Sequence, residues 1–294
     1  LKKIFLSTIL LCIAITAFPQ KENFSISLHS GLFREDFDWS IAGNMEGKAP
    51  NVLSELKWRN LKGIQYNISS SYFLTPRISI NGDFTYGKIS SGEVNDSDYI
   101  EDNRAQSIYD ESFLSNKGYF QNLNLNLVVK KDLGRKITLN ALIGYDNLVQ
   151  KLYLVEDPNQ PTTENLNSYY KHYWNGLQMG FDLKYLIEKF SVSAKIRSGY
   201  YSYYANANWN LIPNFNKPVS FEHKGNAYKY GGSLHLSYLV NRHLEINSTF
   251  NITYGATLSG KDYAYFTDNS TATTKFNGGE LKSKYAQLGI NLTF

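Results

Sequence analysis

The sequence predicts an all-β protein: a ten-stranded antiparallel transmembrane up-and-down β-barrel with long extracellular loops. Three observations carry this. Apolar and polar residues alternate with a period of two along about ten segments, the side-chain period of a strand. Beyond the first twenty residues no apolar run reaches helix-spanning length. The connections alternate short and long, as they do in outer-membrane barrels. A soluble two-sheet sandwich has no reason to gather its long loops at one end, or to keep aliphatics on a face without a partner.

Taken in order, residues 1–20 read as a secretory signal peptide. Lys2 and Lys3 form its basic end and Ile4 to Ala17 its apolar core, which is short and wrongly flanked for a membrane helix. Residues 21–294 are then one outer-membrane β-barrel domain. Cys12 is the one cysteine, so a chain without its leader has no disulfide. Strand one is Asn23 to Leu32, with Phe24, Ile26 and Leu28 outward. Strand two runs from about Leu53 to Phe73 and strand three from Arg77 to Ser90. Strand four, Gly118 to Lys130, alternates Leu123, Leu125 and Leu127 with Asn122, Asn124 and Asn126. Strands five to eight cover Lys136 to Leu154, Tyr170 to Leu186, Phe190 to Ala205 and Ala227 to Val240. Strand nine, His243 to Ser259, puts Ile246, Phe250 and Ile252 outward and Glu245, Asn247 and Asn251 inward. Strand ten, Leu281 to Phe294, has Leu288, Ile290 and Leu292 outward against Gln287 and Asn291.

Short turns fall near 74–76, 131–135, 187–189 and 241–242, and long polar loops near 33–52, 91–117, 155–169, 206–226 and 260–279. Strand nine alternates over about seventeen residues. At ~3.3 Å per residue and ~45° tilt it rises roughly 40 Å, against an apolar band of ~25 Å, so the barrel should project above the membrane. Aromatics are 15% of the chain, 23 of them Tyr, which fits interfacial girdles. The net charge of +4 is small, and no basic run with interleaved aromatics points to nucleic acid. The lumen-facing Asn, Thr, Ser and Gln of a narrow barrel favour a plugged interior over a pore.

Chemistry is sparse. Asp96 and Asp98, two apart on an extended segment, point the same way. Held close, such a pair raises one pKa and can polarise a water. The plainer reading is a solvated acidic loop that includes Glu101, Asp102, Asp110 and Glu111. No phosphate loop, metal-spaced His/Cys set or serine-nucleophile signature is present, so no cofactor or metal is expected.

Several stretches, in order, resemble the omptins, ten-stranded outer-membrane endoproteases: SISLHSGLFRE (Ser25 to Glu35), SELKW (Ser54 to Trp58), PRISI (Pro76 to Ile80) and NDSDYIED (Asn95 to Asp102). The resemblance implies that Asp96 and Asp98 stand at the catalytic aspartates and Glu35 in the specificity pocket. Lys57 departs from the usual Asp. The family's His–Asp half falls among Ala205 to Asn210, and Ser198 to Phe221 holds no Asp, Glu or His. Asn cannot act as a general base near neutral pH. His223 is the best-placed substitute. Of the lipid A contacts, Tyr145 is in place but Asp146 to Gln150 do not reproduce the pattern.

Three functions follow as expectations: an omptin-like barrel without proteolysis that binds peptide or surface ligands at its rim, an active omptin-type aspartic endopeptidase cutting at basic residues, or a small structural barrel or narrow pore. The expected setting is the outer membrane of a Gram-negative bacterium. The expected partners are outer-membrane lipid and lipopolysaccharide and an extracellular peptide or protein, for a monomer that binds no nucleic acid.

Overall fold

The structure, a computed structural model, describes residues 23–158 and 165–294. The expected signal peptide lies outside the described residues. Twelve strands form one antiparallel sheet: β1 (Phe24–Ile41), β2 (Ser54–Thr75), β3 (Ile78–Glu101), β4 (Ala105–Leu114), β5 (Gly118–Asp132), β6 (Ile137–Val155), β7 (Asn167–Ile187), β8 (Phe190–Asn208), β9 (Phe221–Asn241), β10 (Leu244–Thr257), β11 (Gly260–Tyr265) and β12 (Thr271–Thr293). Ten of them make a ring. It closes where β1 pairs with β12, from Ser25 opposite Thr293 up to Ile41 opposite Phe276. The other two add to the long-connection end: β4 hairpins back on β3, and β11 pairs with both β9 and β12.

The ring matches the expected meander, but strands replace much of what reads as loop. β1 runs on to Ile41, β3 to Glu101, and β9 starts at Phe221. The reason is an exchange of faces part-way along each strand. On β1, Leu28 and Leu32 point out and Ser27 and His29 point in; above them Arg34, Asp36 and Asp38 point out while Phe33, Phe37 and Trp39 point in. On β7, Leu177, Met179, Phe181 and Leu183 are exposed near the short turns, whereas further up Tyr170, His172 and Trp174 are the buried set. The period of two never breaks; the greasy face changes side. Hydropathy that looks polar or unpatterned as a loop is therefore a strand with its apolar face reversed. On β2 a bulge at Asn60 (φ 55) keeps Leu61 and Trp58 both inward, across from Glu35 and Phe37.

The exposed belt contains Leu32, Ile64, Leu177, Ile196, Ile252 and Leu288, the last 70% exposed. Tyr145, Tyr200, Tyr228 and Tyr230 mark its upper edge and Phe24, Tyr72, Tyr185 and Phe190 its lower edge. A continuous aliphatic belt of this extent has no place in water. Inside it the lumen is polar: His29 bonds Asn67 (3.0 Å) and Asn247 (2.8 Å), and Gln178 bonds Asn124 and Asn126. A cavity of about 420 Å³ remains there. Above the belt the interior is filled by Phe37, Trp39, Trp58, Tyr170, Trp174 and Tyr203, packed ring on ring. The head of the barrel is a packed core.

Three substitutions test this exchange. Leu288→Lys, within the belt, should cost ~2–4 kcal/mol in lipid, whereas Ser202→Lys on the outer wall above the belt should cost little. Trp58→Ala should cost ~3–5 kcal/mol by leaving a void in the head. Urea titration of the barrel refolded in vesicles measures all three.

Candidate functional site

Asp96 and Asp98 do not sit on a solvated loop. Both lie on β3 and face the interior near the top of the head. Asp96 stands opposite Leu56 on β2 and Glu111 on β4; Asp98 stands opposite Ser54 and Tyr109. Asp96 is 8% exposed. Burial, then the charges of Asp98 and Glu111, push its carboxyl up to about 8. Burial also raises Asp98, partly offset by a hydrogen bond with Ser54. The Tyr109 hydroxyl donates to Glu111 Oε2 (3.2 Å), and burial, then the neighbouring carboxylates, hold the phenol in its neutral form. Among the described residues neither aspartate makes an ion pair. Near neutral pH the pair therefore holds a proton, and the cluster favours an arriving cation.

Glu35 lies elsewhere, low on the inner wall of β1 between Phe33 and Phe37. Gln150 Nε2 donates to its carboxylate (2.6 Å), and it borders the lumen cavity with Asp146 and Lys229. Lys229 pairs with Asp146 (2.6 Å), which also accepts from the Tyr201 hydroxyl (2.7 Å). Glu35 and the two aspartates are not brought together.

His223, read from sequence as a loop residue, belongs to β9 and is fully buried. Its Nε2 lies 3.2 Å from Asp262 Oδ1 on β11, directly across the ladder, and its Nδ1 is 2.9 Å from the Tyr170 hydroxyl. Tyr170 is in turn 2.8 Å from Tyr203 Oη, and Thr274 Oγ1 donates to Asp262 Oδ2 (3.0 Å). The imidazole stacks on Phe276 (4.3 Å between centroids) and meets the edge of Trp39 (4.8 Å). Sequence reading misses Asp262, because only the β9–β11 pairing joins it to His223. The available signal was alternation in FEHKG and KDYAY, which puts both on inward positions. His172, also buried, stacks on Phe37 (4.3 Å) and accepts from Trp174 Nε1 (2.9 Å); burial, then the charge of Lys229, lowers it to about 3, so it stays neutral. Between the acidic pair and the His223–Asp262 pair stands the aromatic filling: Trp39, against His223, is opposite Leu56, which is opposite Asp96. Among the described residues no cluster of three or more His, Cys, Asp or Glu is arranged to hold a metal.

A model of the Protochlamydia outer membrane protein family matches residues 27–294. The chain belongs to this family. It is accordingly an outer-membrane β-barrel protein of the Gram-negative type. Among solved structures it is similar to the outer membrane protease OmpT of Escherichia coli, with 14% identity, a TM-score of 0.69, and coverage of 95% of this chain and 100% of that one. At that identity the likeness concerns the fold alone. The translocator domain of the autotransporter NalP from Neisseria meningitidis (8% identity, TM-score 0.43, 100% and 96% covered) and the Neisserial surface protein A (9%, 0.35, 92% and 97%) also match. No curated protein sequence matches. This member of the outer membrane protein family thus has a fold similar to that of OmpT, while the interior of its head is described by its own residues.

The buried aspartate gives a pH test. Folded, Asp96 keeps its proton up to about pH 8, whereas the unfolded chain releases it near its ordinary 3.8. Its contribution to stability is full below about pH 4 and is lost as the pH rises through about 8. Asp96→Asn should flatten that fall and melt several degrees higher than wild type at about pH 8. Heat-modifiability on gels between about pH 5 and 8 reads both slopes, and parallel slopes would refute the assignment.

Proposed function

We propose that the chain is a transmembrane outer-membrane barrel that anchors a projecting, filled head, and that the head binds ligand at its outer rim and does not cleave peptides. The belt spans the bilayer, the short turns face the periplasm and the long connections face outward. β3, at 24 residues, rises roughly 55 Å at ~45° tilt, about twice the ~25 Å band. The observation that carries the reading is the aromatic filling between the acidic pair and the His223–Asp262 pair. A water-polarising carboxylate pair and a general base act together only when both reach one substrate. Here the acidic pair lies toward the rim, and the base is fully buried on the other side of the filling.

The rim that remains for binding is the β3–β4 hairpin. It carries Asp96, Asp98, Glu101, Asp102, Asp110 and Glu111, and Arg104 is drawn down onto Glu55 (2.8 Å). Its electrostatics favour cationic segments of an extracellular peptide or protein. Glu35, enclosed by Gln150, is a wall of the lumen in this reading. The barrel acts as a monomer. The aromatic filling also supports a lumen closed to conduction.

The assay is a fluorogenic dibasic peptide offered to the refolded barrel, with wild type, Asp96→Asn and His223→Ala compared. No turnover above background is expected from any of them, while a Lys-rich peptide without a cleavable bond should bind wild type more tightly than Asp96→Asn/Glu111→Gln. Turnover abolished by Asp96→Asn would overturn the reading, and dependence on His223 as well would identify the base.

A further inference from the structure

The polar lumen inside the belt is a blind chamber. Its lining begins at Ser25 and Ser71, directly opposite each other near the short-turn end, and stops under the head at Phe120, Leu148 and Leu281. Most charged side chains along it are engaged within the chain. Lys229 pairs with Asp146 (2.6 Å), Glu35 accepts from Gln150 (2.6 Å), Asp83 accepts from Asn67 Nδ2 (3.1 Å), and His235 Nε2 lies 3.9 Å from Glu245 Oε1. Lys195 and Arg197 differ. They stand two apart on β8 and both line the chamber. Among the described residues neither makes an ion pair, and Arg197 Nε is buried without a hydrogen-bond partner.

The wall beside the two cations leaves them to the chamber. Asp182 on β7 is directly opposite Lys195, yet it makes no ion pair with it; its Oδ2 accepts from Asn140 Nδ2 (3.3 Å). Arg197 has glycine on both sides, Gly180 on β7 and Gly231 on β9. A Cβ at Gly180 would lie 3.0 Å from Arg197 Cγ, so the absent side chain makes room for the stem of the arginine. With a carboxylate beside Lys195 and none directly across from Arg197, the guanidinium is the main anchor for an anion.

We infer that Arg197 and Lys195 form a lumen binding site for a tetrahedral oxyanion, phosphate or sulfate, free or carried on a small hydroxylated solute. A guanidinium offers paired N–H donors to such an anion, and an ammonium adds a second charge. Two like charges side by side on one strand are held at lower cost with an anion between them than without one. The cavity of about 420 Å³ leaves room beyond the anion, and Asn122, Asn124, Thr249 and Asn251 line it with groups that hydrogen-bond hydroxyls. The site is separate from the rim. Only its supply from the periplasm rests on the membrane orientation proposed above.

The test uses the full barrel refolded in zwitterionic detergent and titrated with sodium phosphate, sodium sulfate, glucose 6-phosphate and, at matched ionic strength, sodium chloride. The unfolding temperature of wild type should rise with the oxyanions and not with chloride, because a ligand of the native state stabilises it. A lower midpoint for glucose 6-phosphate than for phosphate would identify a carried anion, and equal midpoints a free one. Lys195→Gln/Arg197→Gln should need on the order of ten-fold or more phosphate for the same rise. Arg197→Lys, which keeps the charge and loses the fork, should fall between the two. Lys151→Gln/Lys171→Gln, on the outer wall of the head, should respond as wild type. No rise with any oxyanion, the same rise with chloride, or equal responses of the double variant and wild type would each overturn the site. If the double variant does not refold, Lys195→Gln alone, with the phosphate and chloride arms on wild type, decides it. In detergent the assay is indifferent to membrane orientation, so failure here leaves the belt standing, which Leu288→Lys tests separately.

Discussion

With the belt in the bilayer, as we propose, every strand of the ring has to satisfy two solvents in turn, and the fold depends on that constraint. A barrel in lipid needs its apolar side chains outside and tolerates polar ones within. A barrel in water needs the reverse. The chain does both on the same strands without breaking the period of two, so the hydrogen-bonded ladder runs continuously from belt to head. Leu32 faces out; Phe33 and Phe37, one and five residues on, face in. The aromatic residues that would serve as girdles at the belt become the core of the head.

This exchange also governs where chemistry can occur. A head cored like a soluble barrel has little room for an open groove between its walls. Titratable groups inside it must be paired or kept neutral, because an unpaired charge away from water is costly. His172 is held neutral by its surroundings. His223 Nδ1 is hydrogen-bonded with the Tyr170 hydroxyl, and its Nε2 lies 3.2 Å from Asp262 Oδ1. Asp96 keeps its proton. Burial has withdrawn His172 and Asp96 from ordinary acid–base exchange with bulk water. The omptin-like ring at 14% identity therefore coexists with an interior whose polar groups read first as solutions to burial.

The belt half of the fold was legible in the sequence because lipid outside and a hydrated lumen inside give the cleanest alternation a strand can have. Ile246, Phe250, Ile252, Leu288 and Ile290 are exposed, and Asn247 and Gln287 buried. The head was less legible. Its strands alternate as well, but with the apolar set on the opposite parity, and a reader following Leu28 and Leu32 outward meets Arg34 and Asp36 there and stops the strand too early. The same error turned the β3 segment with Asp96 and Asp98 into a loop and left β4 and β11 unread. Of the candidate site, the shared side of Asp96 and Asp98 follows from spacing alone. Their burial needs Leu56 and Glu111 as neighbours, and the His223–Asp262 pairing needs a ladder between strands far apart in sequence.

The boundary between the two halves is where the sequence is least constrained by packing and most exposed to choice. A side chain there touches neither the aromatic core nor the depth of the belt. Small neutral residues suffice, and on β6 to β9 Asn147, Asn175, Ser202 and Asn226 occupy it. On β1, β2 and β12, Arg34, Lys62 and Lys284 stand there in direct cross-strand register, although like charges so placed destabilise a sheet. The boundary position thus answers to neither the aromatic core nor the belt, and the apolar face of each strand changes side at the height where packing demands least of the outward side chain.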